Sequence, residues 1–397
     1  MIIGPHQAGK TTLMLLLKKY LIKNSEATLF FNLDIGNDKL YFQSQNKLLK
    51  KIKLELGNKK GFVFIDEIQR RENAGLFLKG LYDMDLPYKF IVSGSGSLEL
   101  KEKIHESLAG RKRVFGLNTV SFEEFVNYKT NEKYKDKLND YFEIESENTI
   151  ALLEEYLSFG GYPDVVLEDK ISEKRKYIKE IFSSYIEKDI SFLLNVQRVD
   201  AYEMLIKILA GQIGQLVNHS ELSNTIGIST ATLKNYLWYS EKTFITRRIT
   251  PFFTNLRKEI TKSPVYYFFD TGLRNYIINM FNTESINYEN FGFVFENFVL
   301  SLLLEKIKDT SIKINFWRTK DKSEVDFVIN TGSRLIPFEV KYKDYKKISI
   351  GRSLHNFIAK YNPGEAFIIT PKSKNAIKVK NTWVRIIPFW ELYSIKI

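Results

Sequence analysis

The chain has no cysteine among its 397 residues. That absence removes disulfides, thiolate zinc sites, iron–sulfur clusters and cysteine nucleophiles together, and it fits a reducing, cytoplasmic compartment. No uninterrupted apolar run approaches the roughly 20 residues that cross a bilayer. The N-terminus enters a glycine-rich loop directly, without a basic and then apolar leader. A soluble, untargeted cytoplasmic protein with no membrane partner is therefore expected. Internal repeats and low-complexity tracts are also lacking, which excludes solenoids and disordered linkers.

What is present is ample apolar material: 44% hydrophobic and 14% aromatic residues against 27% charged. Such a chain buries cores throughout, and its length exceeds what one core organises. The formal charge of +12 is unevenly spread. From Ser301 to Ile397 there are 19 Lys and Arg against 9 Asp and Glu. A basic C-terminal part favours an anionic partner.

Hydrophobic periodicity divides the chain into four parts, an α/β multidomain arrangement. Residues 1–125 alternate short apolar runs (Thr28 to Leu33, Gly61 to Ile65, Lys89 to Ser93) with amphipathic segments, the pattern of a parallel sheet with helices. Residues 126–200 read as a helical connector broken by Gly160-Gly161-Tyr162-Pro163. Residues 201–272 carry two helix patterns and two β-rich stretches, a winged helix-turn-helix. Residues 273–397 begin with a helix and continue as strands with one further helix.

Gly4-Pro5-His6-Gln7-Ala8-Gly9-Lys10-Thr11 has P-loop spacing and stands between apolar Ile2-Ile3 and a helix beginning at Thr12. Glycines let backbone N–H groups close around phosphate oxygens, and the helix N-terminus adds partial positive charge. Lys10 is expected at the β- and γ-phosphates of ATP and Thr11 at Mg²⁺, with Thr12 completing the ATP-binding set. Phe62-Val63-Phe64-Ile65-Asp66-Glu67 reads as a buried strand ending in two carboxylates. Asp66 belongs on the magnesium shell and Glu67 beside the hydrolytic water. Ser93, at the end of a third strand before Gly94-Ser95, is placed to sense the γ-phosphate. Arg111 is read as an arginine finger or sensor, serving its own nucleotide or a neighbour's in a homo-oligomer.

This set resembles prokaryotic AAA-type ATPases that carry a C-terminal domain of unknown function with a restriction-endonuclease-like fold. Besides the motifs above, the resemblance rests on Ala109-Gly110-Arg111, Ser121-Phe122-Glu123-Glu124-Phe125, Gly160-Gly161-Tyr162-Pro163, Asp270-Thr271-Gly272-Leu273 and Glu324-Val325-Asp326. It implies ATP binding and hydrolysis. Members of that family begin with a helix and a full first strand, whereas here Met1, Ile2 and Ile3 alone precede Gly4. A clipped or misassigned start is the expectation, and it bears on nucleotide affinity and N-terminal stability.

In the third part, Gly227 turns the chain and Ser229 suits the cap of a second helix. That helix presents Thr230, Thr232, Lys234 and Asn235 to phosphates or base edges of DNA. Arg247, Arg248, Arg257 and Lys258 follow as a wing on the DNA backbone. In the fourth part, strand alternation puts Glu324 and Asp326 on one face, and Glu339 and Lys341 on one face of the next strand. Asp326, Glu339 and Lys341 form the Asp…Glu-x-Lys arrangement of PD-(D/E)xK nucleases. There Asp326 and Glu339, joined by Glu296 from the preceding helix, would hold Mg²⁺ while Lys341 orients water.

The expectation is a Mg²⁺-dependent ATPase coupled to DNA binding, with cleavage as the further step this constellation allows. The alternative is an ATP-dependent switch or scaffold whose nuclease-like part is inactive and binds a protein partner.

Overall fold

The computed structural model describes residues 1–94, 108, 110–187, 190, 196–253, 259, 262–282, 291–343 and 350–395. Ser95, Ala109, Arg257 and Lys258 lie outside the described residues.

The N-terminal sheet is parallel. Its strands are β1 (Ile2–Ile3), β2 (Thr28–Asn32), β3 (Gly61–Asp66), β4 (Tyr88–Gly94) and β5 (Phe115–Gly116), in the order β2-β3-β4-β1-β5. β3 is almost wholly buried, which is why it reads as a continuous apolar run. Helices α1 (Lys10–Lys23), α2 (Gln45–Leu56) and α3 (Ala74–Tyr82) lie between the strands. The first strand has two residues, as its short lead predicts, yet it pairs on both edges: Ile2 with Ser93 and with Phe115.

A helical run follows: α4 (Phe122–Lys129), α5 (Leu138–Ile144), α6 (Ser146–Phe159), α7 (Pro163–Leu167) and α8 (Ile171–Tyr185). Ser121 starts α4 with a reciprocal capping box to Glu124, the cause of its Ser-x-x-Glu sequence. Next come α9 (Val199–Gly211), α10 (His219–Ile226) and α11 (Thr230–Lys242). The antiparallel pair β6 (Thr246–Ile249) and β7 (Val265–Phe268) follows, then α12 (Thr271–Ile277).

The C-terminal part is a mixed six-stranded sheet. After α13 (Phe291–Ile307) come β8 (Lys313–Arg318), β9 (Glu324–Asn330) and β10 (Leu335–Val340). Helix α14 (Arg352–Tyr361) then leads to β11 (Glu365–Thr370), β12 (Asn375–Val379) and β13 (Thr382–Pro388). The strand order is β12-β13-β11-β10-β9-β8. Helix α13 is apolar on nearly every side, and it is buried on nearly every side.

The core of the parallel sheet is separate from one apolar cluster that runs from Phe122 to Leu392. Phe122 packs edge-on against both Phe298 of α13 and Phe389 beyond β13. The helical run and the mixed sheet therefore share one interior. Among the described residues, no helix is long and apolar enough to cross a membrane.

Candidate functional sites

The phosphate loop sits at the C-terminal edge of the parallel sheet. Gly9 has φ of 89° and Gln7 of 56°, so the loop enters left-handed space twice before α1 begins. At Gly9 only glycine does this without strain. A β-carbon on Gly4 would lie 2.0 Å from Leu117 O, so glycine is also required for the approach to the chain beside β1. Lys10 is buried and folds over the loop, its Nζ donating to Gly4 O at 3.1 Å and Pro5 O at 2.7 Å. Pro5 and Ala8 are buried, His6 is half-buried, and Gln7 and Thr12 are exposed.

Adjacent strand ends deliver the polar partners. Thr11 Oγ1 donates to Asp66 Oδ2 at 2.7 Å, and Ser93 Oγ donates to Asp66 Oδ1. Ser93 Oγ also accepts from Glu67 N at 3.2 Å. The register explains the convergence: Ile65 pairs with Val92 and Ser93 with Ile2, so the ends of β3, β4 and β1 line up under the loop. Asp66 is fully buried and oriented by two hydroxyls. A buried carboxylate fixed this way beside a threonine at a helix N-terminus fits Mg²⁺ carried by a nucleotide.

Glu67 has φ of 58° although it is not glycine, and its side chain is held by Gln69. Backbone strain of this kind costs on the order of 1 kcal/mol and persists where the surroundings impose it. Burial raises the Glu67 carboxyl above its ordinary range, opposed by His6 and Lys10. Arg111 is engaged elsewhere: its guanidinium pairs with Asp83 at 3.2 Å and lies over Tyr82, just past α3. It must release Asp83 to meet a nucleotide.

In the α9–α11 unit, Asn218 caps α10 and Gly227 turns with φ of 72°. Ser229 Oγ accepts from Thr232 N at 3.0 Å to start α11. Thr230, Lys234 and Asn235 are exposed on α11, whereas Thr232 is half-buried with its hydroxyl bonded to Ser229. Thr232 and Asn235 line a cleft of about 470 Å³ with Arg198, Ser229, Tyr236 and Tyr239. Trp238, 45% exposed and one turn beyond Lys234, is a surface residue that the sequence reading passed over. The wing expectation needs correcting at Arg247. Arg247 is half-buried, its guanidinium lies over the Phe269 ring 3.9 Å from the centroid, and desolvation there lowers its pKa to about 10. Arg248 is exposed and shares a field with Lys234 around His219.

In the mixed sheet, antiparallel pairing of Phe327 with Phe338 brings Asp326 beside Glu339. Asp326 Oδ2 accepts from Val340 N at 2.6 Å, and burial pushes its carboxyl up to about 7 despite Lys341. Lys341 Nζ pairs with Glu339 Oε1 at 3.0 Å, while the buried Glu339 Oε2 has no hydrogen-bond partner among the described residues. Glu296, expected as a third metal ligand, stands in the field of Asp326 and Lys341 and accepts a hydrogen bond from Tyr267; burial, then the Asp326 charge, holds its carboxyl well above the usual range. Among the described residues, no three His, Asp or Glu side chains converge as a metal cage. Asp326 with the unpartnered Glu339 oxygen fits a Mg²⁺ that keeps several waters and uses two carboxylates.

A further carboxylate is Asp270, which begins α12. Burial lifts it to about 6 against hydrogen bonds from Gly161, Leu273 and Gly272 backbone N–H groups. Because the folded pKa exceeds the unfolded one, this group's stabilisation is full below about pH 4 and is lost as pH rises through 6. Relative to Asp270→Asn, the wild-type unfolding free energy should drop by about 3 kcal/mol between pH 4 and 7. Denaturant titration at several pH values measures this, and parallel pH curves would contradict it.

Residues 1–126 match the AAA domain family model. The parallel sheet is thus similar to a P-loop domain of AAA type. Residues 150–284 and 291–392 match two domains of unknown function, DUF8612 and DUF4143. The chain is similar to an uncharacterized protein of Haemophilus influenzae, 26% identical over 356 residues that cover 86% of this chain and 82% of that one. An uncharacterized protein of Mycobacterium tuberculosis is 26% identical over 379 residues, 94% of this chain and 76% of the other. One from Methanocaldococcus jannaschii is 26% identical over 360 residues, 87% and 77% of the two chains. Among solved structures, Aeropyrum pernix ORC1 in complex with DNA aligns with TM-score 0.30 and 8% identity over 70% of this chain and 86% of that one. AMPPCP-bound DnaA from Aquifex aeolicus aligns with TM-score 0.25 and 15% identity over 61% and 80%. Both TM-scores are too low to bear on fold or function.

Proposed function

We propose that this protein is a Mg²⁺-dependent ATPase whose turnover is coupled to DNA binding, with phosphodiester cleavage at a second site in the mixed sheet. The observation that carries the reading is the convergence of Thr11, Asp66 and Ser93 beneath a phosphate loop closed by Lys10. Bound Mg²⁺ supplies charge neutralisation of the phosphates. The chain's own residues do the rest. Backbone N–H groups of residues 4–9 and Lys10 hold the phosphates, and Thr11 and Asp66 orient the metal's water shell. Glu67 polarises the hydrolytic water, and Ser93 ties Asp66 to the backbone of Glu67. Arg111 joins when it leaves Asp83.

DNA is assigned to the exposed face of α11, where Thr230, Lys234, Asn235 and Trp238 stand together with Arg248 nearby. A helix capped after a tight turn, followed by a β-pair, suits a winged helix reading a groove. In the mixed sheet, Asp326 and Glu339 are the metal-holding carboxylates and Lys341 orients the water that attacks phosphorus as the P–O bond to the leaving oxygen breaks. The domain bounds at 125, 200 and 272 accompany this division of labour.

Salt tests the DNA assignment. Affinity for duplex DNA should fall steeply as salt rises, and Lys234→Ala should reduce the log–log slope by about 1. Fluorescence anisotropy from low to moderate salt measures both. A flat dependence, or no binding at low salt, removes DNA and leaves a nucleotide-driven switch acting on a protein partner.

A further inference from the structure

The turn Gly160-Gly161-Tyr162-Pro163 lies against the phosphate loop: a β-carbon on Gly9 would come 3.9 Å from Pro163 Cγ. Asp270 holds this turn from behind. Its Oδ2 accepts from Gly161 N at 2.7 Å, while its Oδ1 accepts from Leu273 N at 2.9 Å and so caps α12. Gly160 has φ of 76°, and a β-carbon there would lie 2.1 Å from Asp270 Oδ1. The same helix grips the end of α6, where Asn275 Nδ2 donates to Leu157 O and Ser158 O, both at 3.0 Å. Gly272 is pressed so closely on Phe159 that a β-carbon would meet its carbonyl oxygen at 2.0 Å. From the other side, Val120 N donates to Gly161 O at 2.7 Å, and Leu117 N donates to Ile3 O at 2.8 Å. The turn is therefore tied both to α12 and to the chain that flanks the phosphate loop.

We propose that Asp270 is a positioning residue for the nucleotide site: through Gly160 and Gly161 it seats Pro163 against Gly9 and keeps the phosphate loop in its binding shape. This rests on the nucleotide-binding reading of that loop. A loop with two residues in left-handed space holds its shape only where its surroundings impose it. Pro163 Cγ is the nearest group on the side of Gly9 where a β-carbon would stand, and Asp270 holds the turn two residues before Pro163. Asp270 also begins the helix that follows the β6–β7 pair, so displacement of that pair reaches the loop through the same clamp. Any resulting effect on ATP affinity is returned as an equal effect of ATP on the pair.

The test uses the full chain and equilibrium binding of ATP with Mg²⁺. Asp270→Ser keeps a side-chain cap for α12 but is too short to reach Gly161 as well. Pro163→Ala removes the contact at the other end. Each variant should weaken ATP binding about tenfold, and the double variant should be no worse than the weaker single one, because both act through one contact. Both variants should still unfold in one cooperative transition without nucleotide, which shows that they are folded. A folded Asp270→Ser protein with wild-type affinity would overturn the proposal, as would losses that multiply in the double variant. Should Asp270→Ser not fold, Pro163→Ala decides alone, and wild-type affinity in it overturns the clamp. Wild-type protein that binds ATP no better than Lys10→Ala overturns the nucleotide reading itself, which separates that failure from a failure of the clamp.

Discussion

Lys10→Ala should reduce ATP hydrolysis by at least about a hundredfold, the loss typical of removing one preorganised charge from a phosphoryl-transfer site. Lys10 is buried and bridges the loop through the Gly4 and Pro5 carbonyls. An alanine there leaves the phosphates without their cation and the loop without its cross-brace, so ATP affinity should fall together with turnover. Glu67→Gln should behave differently. It keeps the shape and the hydrogen bond to Gln69 but removes the charge that polarises water, so ATP binding survives while hydrolysis falls by about 10²-fold or more. Measuring affinity and turnover on both variants separates phosphate binding from water activation. Similar losses of affinity in the two would contradict the assignment of Glu67.

The second large effect is expected in the mixed sheet. Asp326→Asn and Lys341→Ala should each lower Mg²⁺-dependent DNA cleavage on the order of 10³-fold, because each removes a group whose role is realised at the scissile phosphate. ATP hydrolysis without DNA should be unchanged, since these residues belong to the mixed sheet and not to the phosphate loop. Asp326→Asn carries its own control for misfolding. The wild-type carboxyl is pushed up to about 7 by burial, so its ionised form is disfavoured in the fold. Asparagine removes that charge and retains an acceptor for Val340 N, so metal-free stability above pH 7 should rise while cleavage falls. Cleavage that survives both substitutions would leave the mixed sheet as a binding surface.

The legibility of these sites in the sequence follows the distance over which their residues cooperate. The phosphate loop was readable because its function is backbone geometry within eight residues, and the strand before Asp66 was readable because a buried parallel strand is a plain apolar run. Asp326, Glu339 and Lys341 were readable because strand alternation determines which side chains share a face. Asp270 was visible only as part of a motif. Its partner Gly161 lies 109 positions away, and neither residue has a local pattern that names the other. The Tyr267 bond to Glu296 was illegible for a related reason, since the two residues stand 29 positions apart. Arg247 looked like a wing cation until the Phe269 ring was placed beneath it. Trp238 was legible in principle, four residues after Lys234 and so on the same helix face. The shared interior from Phe122 to Leu392 explains why the helical connector is not a passive spacer: its residues complete the core of the mixed sheet.

The measurement closest to the central claim is ATP hydrolysis by the full chain with Mg²⁺, with and without double- and single-stranded DNA, beside Lys10→Ala. The expected result is hydrolysis that DNA stimulates and that Lys10→Ala abolishes. Hydrolysis indifferent to every nucleic acid, or equal in Lys10→Ala, would contradict it.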